Sequence, residues 1–241
     1  MNAGIVRRMS PVSETTLPTV AIVDYGMGNL YSVQQACRTV GLSATITSSP
    51  EEVVAARAVI LPGVGAYPDA MATLERLGLA SAIREVATSG RPLFGICLGM
   101  QLIMSESEEF GRHAGLGIVP GRVLKLPNEE RGVTVKVPQI GWTAVHRPTR
   151  AAAGGDAWRG TFLDGTQNAE PMYFVHSYFV APERDDAAIA VSRYGDVEFC
   201  SALAVANVMA CQFHPERSGR AGLHLYQNLA RLIARLGQGE A

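Results

Sequence analysis

The segment Pro92-Leu-Phe-Gly-Ile-Cys-Leu-Gly-Met-Gln101 constrains this chain more than any other. A short apolar run, Leu93 to Ile96, stops at Cys97. A helix-forming stretch from Leu98 to Met104 follows, with Gly99 as the one turn residue. Gly95 and Gly99 flank the cysteine at minus two and plus two, the layout of a nucleophile elbow with Cys in place of the Ser of Gly-x-Ser-x-Gly. A strand that turns into a helix within one residue strains the nucleophile's backbone and brings main chains too close for larger side chains. The turn sets the sulfur at a helix N-terminus, where unpaired N–H groups and the macrodipole favour the thiolate. The same N–H groups, Leu98 first among them, lie where an oxyanion develops. A buried cysteine packed between two glycines gives the same local pattern, so the rest of the chain must decide.

Around the elbow, strand and helix alternate. Val20 to Val23 is a short apolar run of the kind buried on both faces of a parallel sheet, and Ala44 to Thr47, Ala58 to Leu61 and Leu93 to Ile96 can form further strands. Between them the sequence predicts a helix over Leu30 to Val40 closed by Gly41, a short helix opened by Pro50-Glu-Glu, and a helical region from Pro68 to about Ser89 interrupted near Gly78. The second half differs. Gly121 to Leu126, Val133 to Val137 and Tyr173 to Val180 read as strands without intervening helices, and Phe199 to Val205 with Val208 to Phe213 as a hairpin around Ala206-Asn207. Arg147 to Asn168 is polar, rich in Gly and Ala, and without assignable pattern, whereas Leu223, Tyr226, Ala230, Ile233 and Leu236 fall at helical spacing. The expected fold class is α/β: a mostly parallel central sheet covered by helices on both faces, with additional antiparallel strands in the C-terminal half.

At 241 residues and 47% hydrophobic content the chain has material for a sizeable core, and no linker divides residues 19–241, which are expected to form one domain. Residues 1–18 lack an apolar run and clear periodicity and are expected to be a disordered extension. A net charge of −1 gives no reason to expect nucleic acid or an anionic membrane as partner. The four cysteines show no C-x-x-C spacing and no clustering with histidine, so neither a metal site nor a disulfide framework is expected. A reducing, cytoplasmic setting fits, and Cys37, Cys200 and Cys211, all in apolar segments, read as core packing.

A thiolate needs a base. Of five histidines, His214 alone stands beside a possible third catalytic group, in Gln212-Phe-His-Pro-Glu216 at the end of the Val208 to Phe213 strand. Pro215 biases His214 towards an extended backbone, and an extended Glu216 would then point to the same side. A carboxylate beside an imidazole orients the ring and stabilises its protonated form. Cys97 and His214 both end strands, and ligands gather at the carboxyl ends of strands in a parallel sheet. The expected triad is Cys97, His214 and Glu216.

Gly95-Ile-Cys-Leu-Gly-Met-Gln101 together with Gln212-Phe-His-Pro-Glu216 resembles the signature of class I glutamine amidotransferases, which hydrolyse the side-chain amide of glutamine and hand ammonia to a partner active site. The likeness runs from Thr19 to the C-terminal helix. It is fullest to the branch serving histidine biosynthesis, through Asp24-Tyr-Gly-Met-Gly-Asn-Leu30, Leu61-Pro-Gly-Val-Gly-Ala66, Val137-Pro-Gln-Ile-Gly-Trp142, Tyr173-Phe-Val-His-Ser-Tyr178 and Gln212 to Gly219. The resemblance implies glutamine as substrate, no cofactor, no metal, and a heterodimer with a (β/α)8-barrel cyclase. That cyclase would use the ammonia to make imidazole glycerol phosphate and an aminoimidazole carboxamide ribonucleotide. The resemblance further implies Val64 as second oxyanion donor, in a loop whose glycines let the main chain reorient. Gly65, Gln101, His176 and Ser177 would bind glutamine, and Met27, Asn29, Tyr173 and Arg217 would meet the partner.

Three departures are visible. Gln139 and Thr143 stand where relatives usually carry His and Asn, Arg217 stands where Lys is commoner, and Arg147 to Asn168 is longer than usual. Gly26-Met-Gly28 lacks the third glycine and distal acid of a dinucleotide site. Two alternatives stay open. A free-standing cysteine hydrolase with the same elbow would be fully active alone, and a non-enzymatic binding module would leave Cys97 unreactive.

Overall fold

Alternation along the first strand sets the layering. In β1 (Thr19–Val23), Ala21 and Val23 pack into one hydrophobic layer and Val20 and Ile22 into the other, as a strand covered on both faces requires. The computed structural model describes residues 19–130, 133–149 and 156–236, so the expected extension 1–18 and residues 150–155 lie outside the described residues. From β1 the chain continues through α1 (Leu30–Thr39), β2 (Ser43–Thr47), α2 (Pro50–Ala55), β3 (Ala58–Gly63), α3 (Tyr67–Arg76), α4 (Leu79–Thr88), β4 (Leu93–Cys97) and α5 (Leu98–Leu102). Gly78, in the left-handed region at φ 73°, separates α3 from α4 at the expected interruption. The strand-rich half comprises β5 (Met104–Ser107), β6 (His113–Ala114), β7 (Val119–Lys125), β8 (Glu129–Glu130), β9 (Val133–Thr134), β10 (Gln139–Val145), β11 (Glu170–His176), β12 (Tyr178–Pro182), β13 (Ala188–Tyr194), β14 (Val197–Val205) and β15 (Val208–Cys211), and α6 (Gly219–Leu236) follows.

The central sheet has the order β2-β1-β3-β4-β15-β14-β12-β7-β5-β6, with β13 paired to β14 beside this path. From β2 to β15 neighbouring strands are parallel. Beyond β15 the β14, β12 and β7 pairings are antiparallel. Residues of α2, α3 and α4 fill one layer, and residues of α1 and α6 fill the other. This is the expected α/β class. Its consequence for chemistry is the parallel pairing of β4 with β15, Ile96 opposite Cys211, which brings Cys97 and the His214 segment to the same carboxyl end of the sheet's central strands. Among the described residues no helix is long and apolar enough to cross a membrane.

Several expected boundaries change. The elbow helix ends at Leu102 and Met104 begins β5, because that segment is taken up in pairing with β7. Tyr173 to Val180 is not one strand: β11 pairs with β10, and after Ser177 the chain joins β7 and β14 in the main sheet. Val133 to Val137 contracts to β9, and the strand before His214 ends at Cys211. The patternless polar stretch contributes Trp158, Phe162 and Leu163, all fully buried. Trp158 Nε1 donates to the Ile189 carbonyl at 2.7 Å, and Phe162 meets Phe94 edge-on at 4.9 Å. Aromatic burial, which has no period to read, organises that segment.

Candidate active site

β4 delivers Cys97 with φ 54° and ψ −107°, outside the regions that L-residues favour. The flanking glycines make this possible. A Cβ on Gly99 would overlap the Leu61 carbonyl oxygen, and one on Gly95 would lie 3.0 Å from the Gly99 backbone. The elbow is thereby clamped against β3. Since α5 has only five residues, its macrodipole is a small source of support for a thiolate. A specific donor stands there as well: Gln212 Nε2 lies 3.5 Å from Cys97 Sγ.

His214 donates from Nδ1 to Glu216 Oε1 at 2.8 Å, with the two side chains 4% and 1% exposed. The local route differs from the extended one read from the sequence. Pro215–Arg217 is one turn of 3-10 helix, so Glu216 swings back to the imidazole through a tight turn. The Ser218 hydroxyl donates to the His214 carbonyl at 2.7 Å and accepts the Tyr173 N–H at 3.0 Å, which ties the turn to β11. Burial works against a charged ring, but Cys97 and Glu216 on its two sides outweigh it and push the His214 pKa up to about 10. The other ring nitrogen, Nε2, is buried and has no hydrogen bond of normal geometry.

A cavity of about 250 Å³ opens over the sulfur. Its walls include Gly65, Gln101, His176 and Ser177, the four residues expected to bind substrate, together with Val64 and Leu98, the two expected oxyanion donors. Gln101 Nε2 donates to the Tyr178 carbonyl at 2.9 Å and to Gln212 Oε1 at 3.0 Å. With both hydrogens committed, this amide offers a ligand an acceptor oxygen. His176 Nδ1 donates to the same Tyr178 carbonyl at 2.9 Å. Burial pulls its pKa down to about 4, so the ring is neutral and its buried, unpartnered Nε2 is an acceptor.

Sequence reasoning missed Glu109, which also lines the cavity and accepts the Tyr67 N–H at 2.9 Å. Burial raises its pKa above the ordinary carboxylate value while the Tyr67 N–H opposes the shift. In the run Glu106-Ser-Glu-Glu109 it reads as one more solvated acid, and no local signal marks it. Gln212 belonged to the quoted motif without a role; a lone amide in an apolar strand end was its signal. Gln139 Nε2 donates to Thr143 Oγ1 at 2.7 Å, so the two substitutions around Gly-Trp are partners of one another.

At the end of β3, Gly63 sits in register with Cys97. Val64 is 41% exposed, and its N–H donates to the Met27 carbonyl at 3.4 Å. Leu98, by contrast, begins α5, where an N–H has no intrahelical acceptor. Asn29 precedes α1 without a side-chain capping bond. The Arg217 guanidinium lies 4.5 Å from the Tyr173 ring centre, and Trp142 meets Tyr173 edge-on at 6.1 Å. Ile140 and Trp142 are 56% and 58% exposed, extending this outward face beyond the two residues expected there. The other cysteines are buried free thiols: burial raises Cys37 and Cys200 to about 12 and Cys211 well above its ordinary value.

Comparison with known proteins places the whole chain rather than its site. Residues 21–231 match the family model "Glutamine amidotransferase class-I". The chain is 44% identical over 218 residues to "Imidazole glycerol phosphate synthase subunit HisH" of Moorella thermoacetica, covering 90% of this chain and 97% of that protein. It is 45% identical over 213 residues to the protein of the same description from Syntrophotalea carbinolica, covering 87% and 98%. Among solved structures, PurLQS from Thermotoga maritima superposes with a TM-score of 0.66 at 17% identity, covering 89% of this chain and 98% of that one. The Trypanosoma brucei CTPS glutaminase domain with bound acivicin gives 0.61 at 16% identity, covering 90% and 94%. At these identities the structural likeness speaks to fold.

Proposed function

The chain belongs to the class-I glutamine amidotransferase family, and from that premise we propose how it works as the glutaminase subunit of an imidazole glycerol phosphate synthase, with Cys97, His214 and Glu216 as its triad. The observation that carries the assignment of roles is the convergence of a strained cysteine, an ion-paired histidine and a polar cavity at the shared end of β4 and β15.

The Cys97 thiolate attacks the side-chain carbonyl carbon of glutamine, and the carbonyl oxygen takes up the negative charge. Leu98 N–H stabilises that oxyanion. His214, protonated and held by Glu216, gives its Nε2 proton to the departing nitrogen, and ammonia leaves as the C–N bond breaks. The resulting thioester is hydrolysed when neutral His214 takes a proton from water. The hydroxide adds to the acyl carbon, the C–S bond breaks, and glutamate and the thiolate are released. Glu109 and the neutral His176 Nε2 are acceptors suited to the α-ammonium of glutamine, and Ser177 offers a short polar group towards its α-carboxylate.

Val64 N–H is spent on the Met27 carbonyl, so in this state one of the two proposed oxyanion donors is not offered to substrate. Ammonia released into neutral water becomes mostly ammonium and loses its nucleophilicity, which makes a sealed junction with a synthase the sensible arrangement. A (β/α)8-barrel cyclase is the proposed partner, in a heterodimer. The Met27–Asn29 loop and the outward face of Ile140, Trp142, Tyr173 and Arg217 are its proposed contacts. The test is a glutamine-analogue electrophile followed by peptide mapping, with glutamate release measured in parallel. Label on Cys97 alone is expected; label on Cys37, Cys200 or Cys211 instead would sink the mechanism.

A further inference from the structure

Gln212 is completely buried at the corner between β15 and His214. A buried primary amide has hydrogens and lone pairs to place, and leaving them unpaired is unfavourable. The hydrogen-bond chain around it fixes which way it points. The Tyr178 carbonyl has no proton to give, so the Gln101 atom 2.9 Å away is nitrogen. That nitrogen's second hydrogen goes to the Gln212 atom 3.0 Å away, which is therefore oxygen. The Gln212 nitrogen is left facing Cys97 Sγ at 3.5 Å. Turning the amide over would set two NH2 groups against each other.

We propose that Gln212 is a catalytic residue: a fixed hydrogen-bond donor, oriented through Gln101 by the Tyr178 carbonyl, that favours the thiolate of Cys97 and aims it at the glutamine cavity. The inference rests on the glutaminase reading above and adds a contact to the reacting atom itself. A donor is needed there for two reasons. The five-residue α5 supplies little dipole, and His214, the other group beside the sulfur, surrenders its proton during the reaction. The Gln212 amide does not titrate, so its donor is present both when the thiolate attacks and when it departs from the thioester. The same sulfur also lies 3.8 Å from the Val175 carbonyl, an acceptor that favours the neutral thiol. Gln212 is the counterweight.

The experiment uses the full chain carrying Gln212→Met, which keeps length and bulk and removes the donor. Alkylation of Cys97 by iodoacetamide is measured across pH with the modified peptide identified, alongside glutamate release and thermal midpoint. A hydrogen bond to a charged group is worth about ten- to a hundred-fold in an equilibrium. Alkylation at neutral pH should slow by about that factor, the pH profile should move alkaline, and the high-pH plateau should approach that of the unaltered chain. For glutamine, kcat should fall with KM little changed. A folded variant with an unchanged alkylation profile overturns the proposal. Should Gln212→Met not fold, the side-chain amide resonance of Gln212 in the unaltered chain is followed instead. It should shift with the thiol's titration and on Cys97→Ala, and indifference to both overturns the proposal. An unaltered chain that releases no glutamate, even with the cyclase, counts against the glutaminase reading and leaves the alkylation profile to judge Gln212.

Discussion

Two backbone N–H groups are proposed to serve one developing oxyanion, and they come from regions built in opposite ways. Leu98 belongs to the elbow, where Cys97, Leu98 and Gly99 are buried and a Cβ on Gly99 would strike the β3 backbone. Nothing there can turn without disrupting the sheet. Val64 belongs to a loop that is partly exposed, with Gly65 at φ +112° and the Val64 N–H tied to Met27 by a long 3.4 Å bond. There a peptide plane can rotate at the expense of one weak hydrogen bond. One donor is thus always formed and the other conditional. Met27 sits in the loop proposed to meet the partner, so what arrives at the surface can decide whether the second donor is offered.

The largest effect should come from removing chemistry while sparing both regions. Cys97→Ala should lower glutamate release to background, by about a million-fold on the scale of a lost triad nucleophile. Thermal midpoint and binding to the cyclase should be nearly unchanged; loss of cyclase binding would show that the elbow and the conditional loop are not separable.

Next in size is Glu216→Gln, which keeps shape and weakens support of the protonated ring. Turnover should fall by up to about ten-thousand-fold, and by less than in His214→Ala. The pH dependence gives a second readout. With its pKa raised from 6.5 to about 10, His214 stays protonated through the neutral range. The stability this contributes is complete below pH 6.5 and is lost as pH rises towards 10. In Glu216→Gln the alkaline limb of activity should move to lower pH; an unmoved limb would mean that Cys97 alone holds the proton.

The conditional donor sets the third effect. One oxyanion donor is worth about a hundred- to a thousand-fold in turnover, so glutamate release should be weak for the subunit alone and rise by that order with the cyclase and its nucleotide. Three equal rates would make the free-standing hydrolase the better account.

Smallest on activity, and most direct on the comparison, is a pair of alanines. Gly99→Ala should destabilise the fold by about 1–3 kcal/mol or more through backbone overlap and lower activity with and without the partner alike. Gly65→Ala places a Cβ against the movable end of Met27 at 2.5 Å and at a φ of +112° that L-residues rarely adopt. It should cost some basal activity through the cavity wall and, beyond that loss, blunt the stimulation by the partner. Equal behaviour of the two variants in a stimulation assay would erase the distinction between fixed and conditional donors.

Much of this was legible because it is local. The elbow needs glycines within two residues of its cysteine, the acid lies two residues after its histidine, and parallel strands buried on both faces announce themselves as apolar runs. The break at Ser177 was not legible, since the β propensity of Tyr173 to Val180 is continuous and only pairing with two different sheets divides it. Nor was the 3-10 turn that replaces the extended route to Glu216, although its pairing with His214 was.

By itself, then, the sequence determined the layered α/β class and singled out the proposed nucleophile, base and orienting acid, since each depends on residue types a few positions apart. Tertiary structure alone decided that Glu109 is a wall of the cavity rather than a solvated acid. It decided that the Gln212 amide turns its nitrogen to the sulfur, and that Val64 spends its N–H on Met27. Those outcomes depend on which distant carbonyls and strands become neighbours. A buried hydrogen bond is chosen by the partners left within reach once the sheet has closed, and no local pattern carries that information.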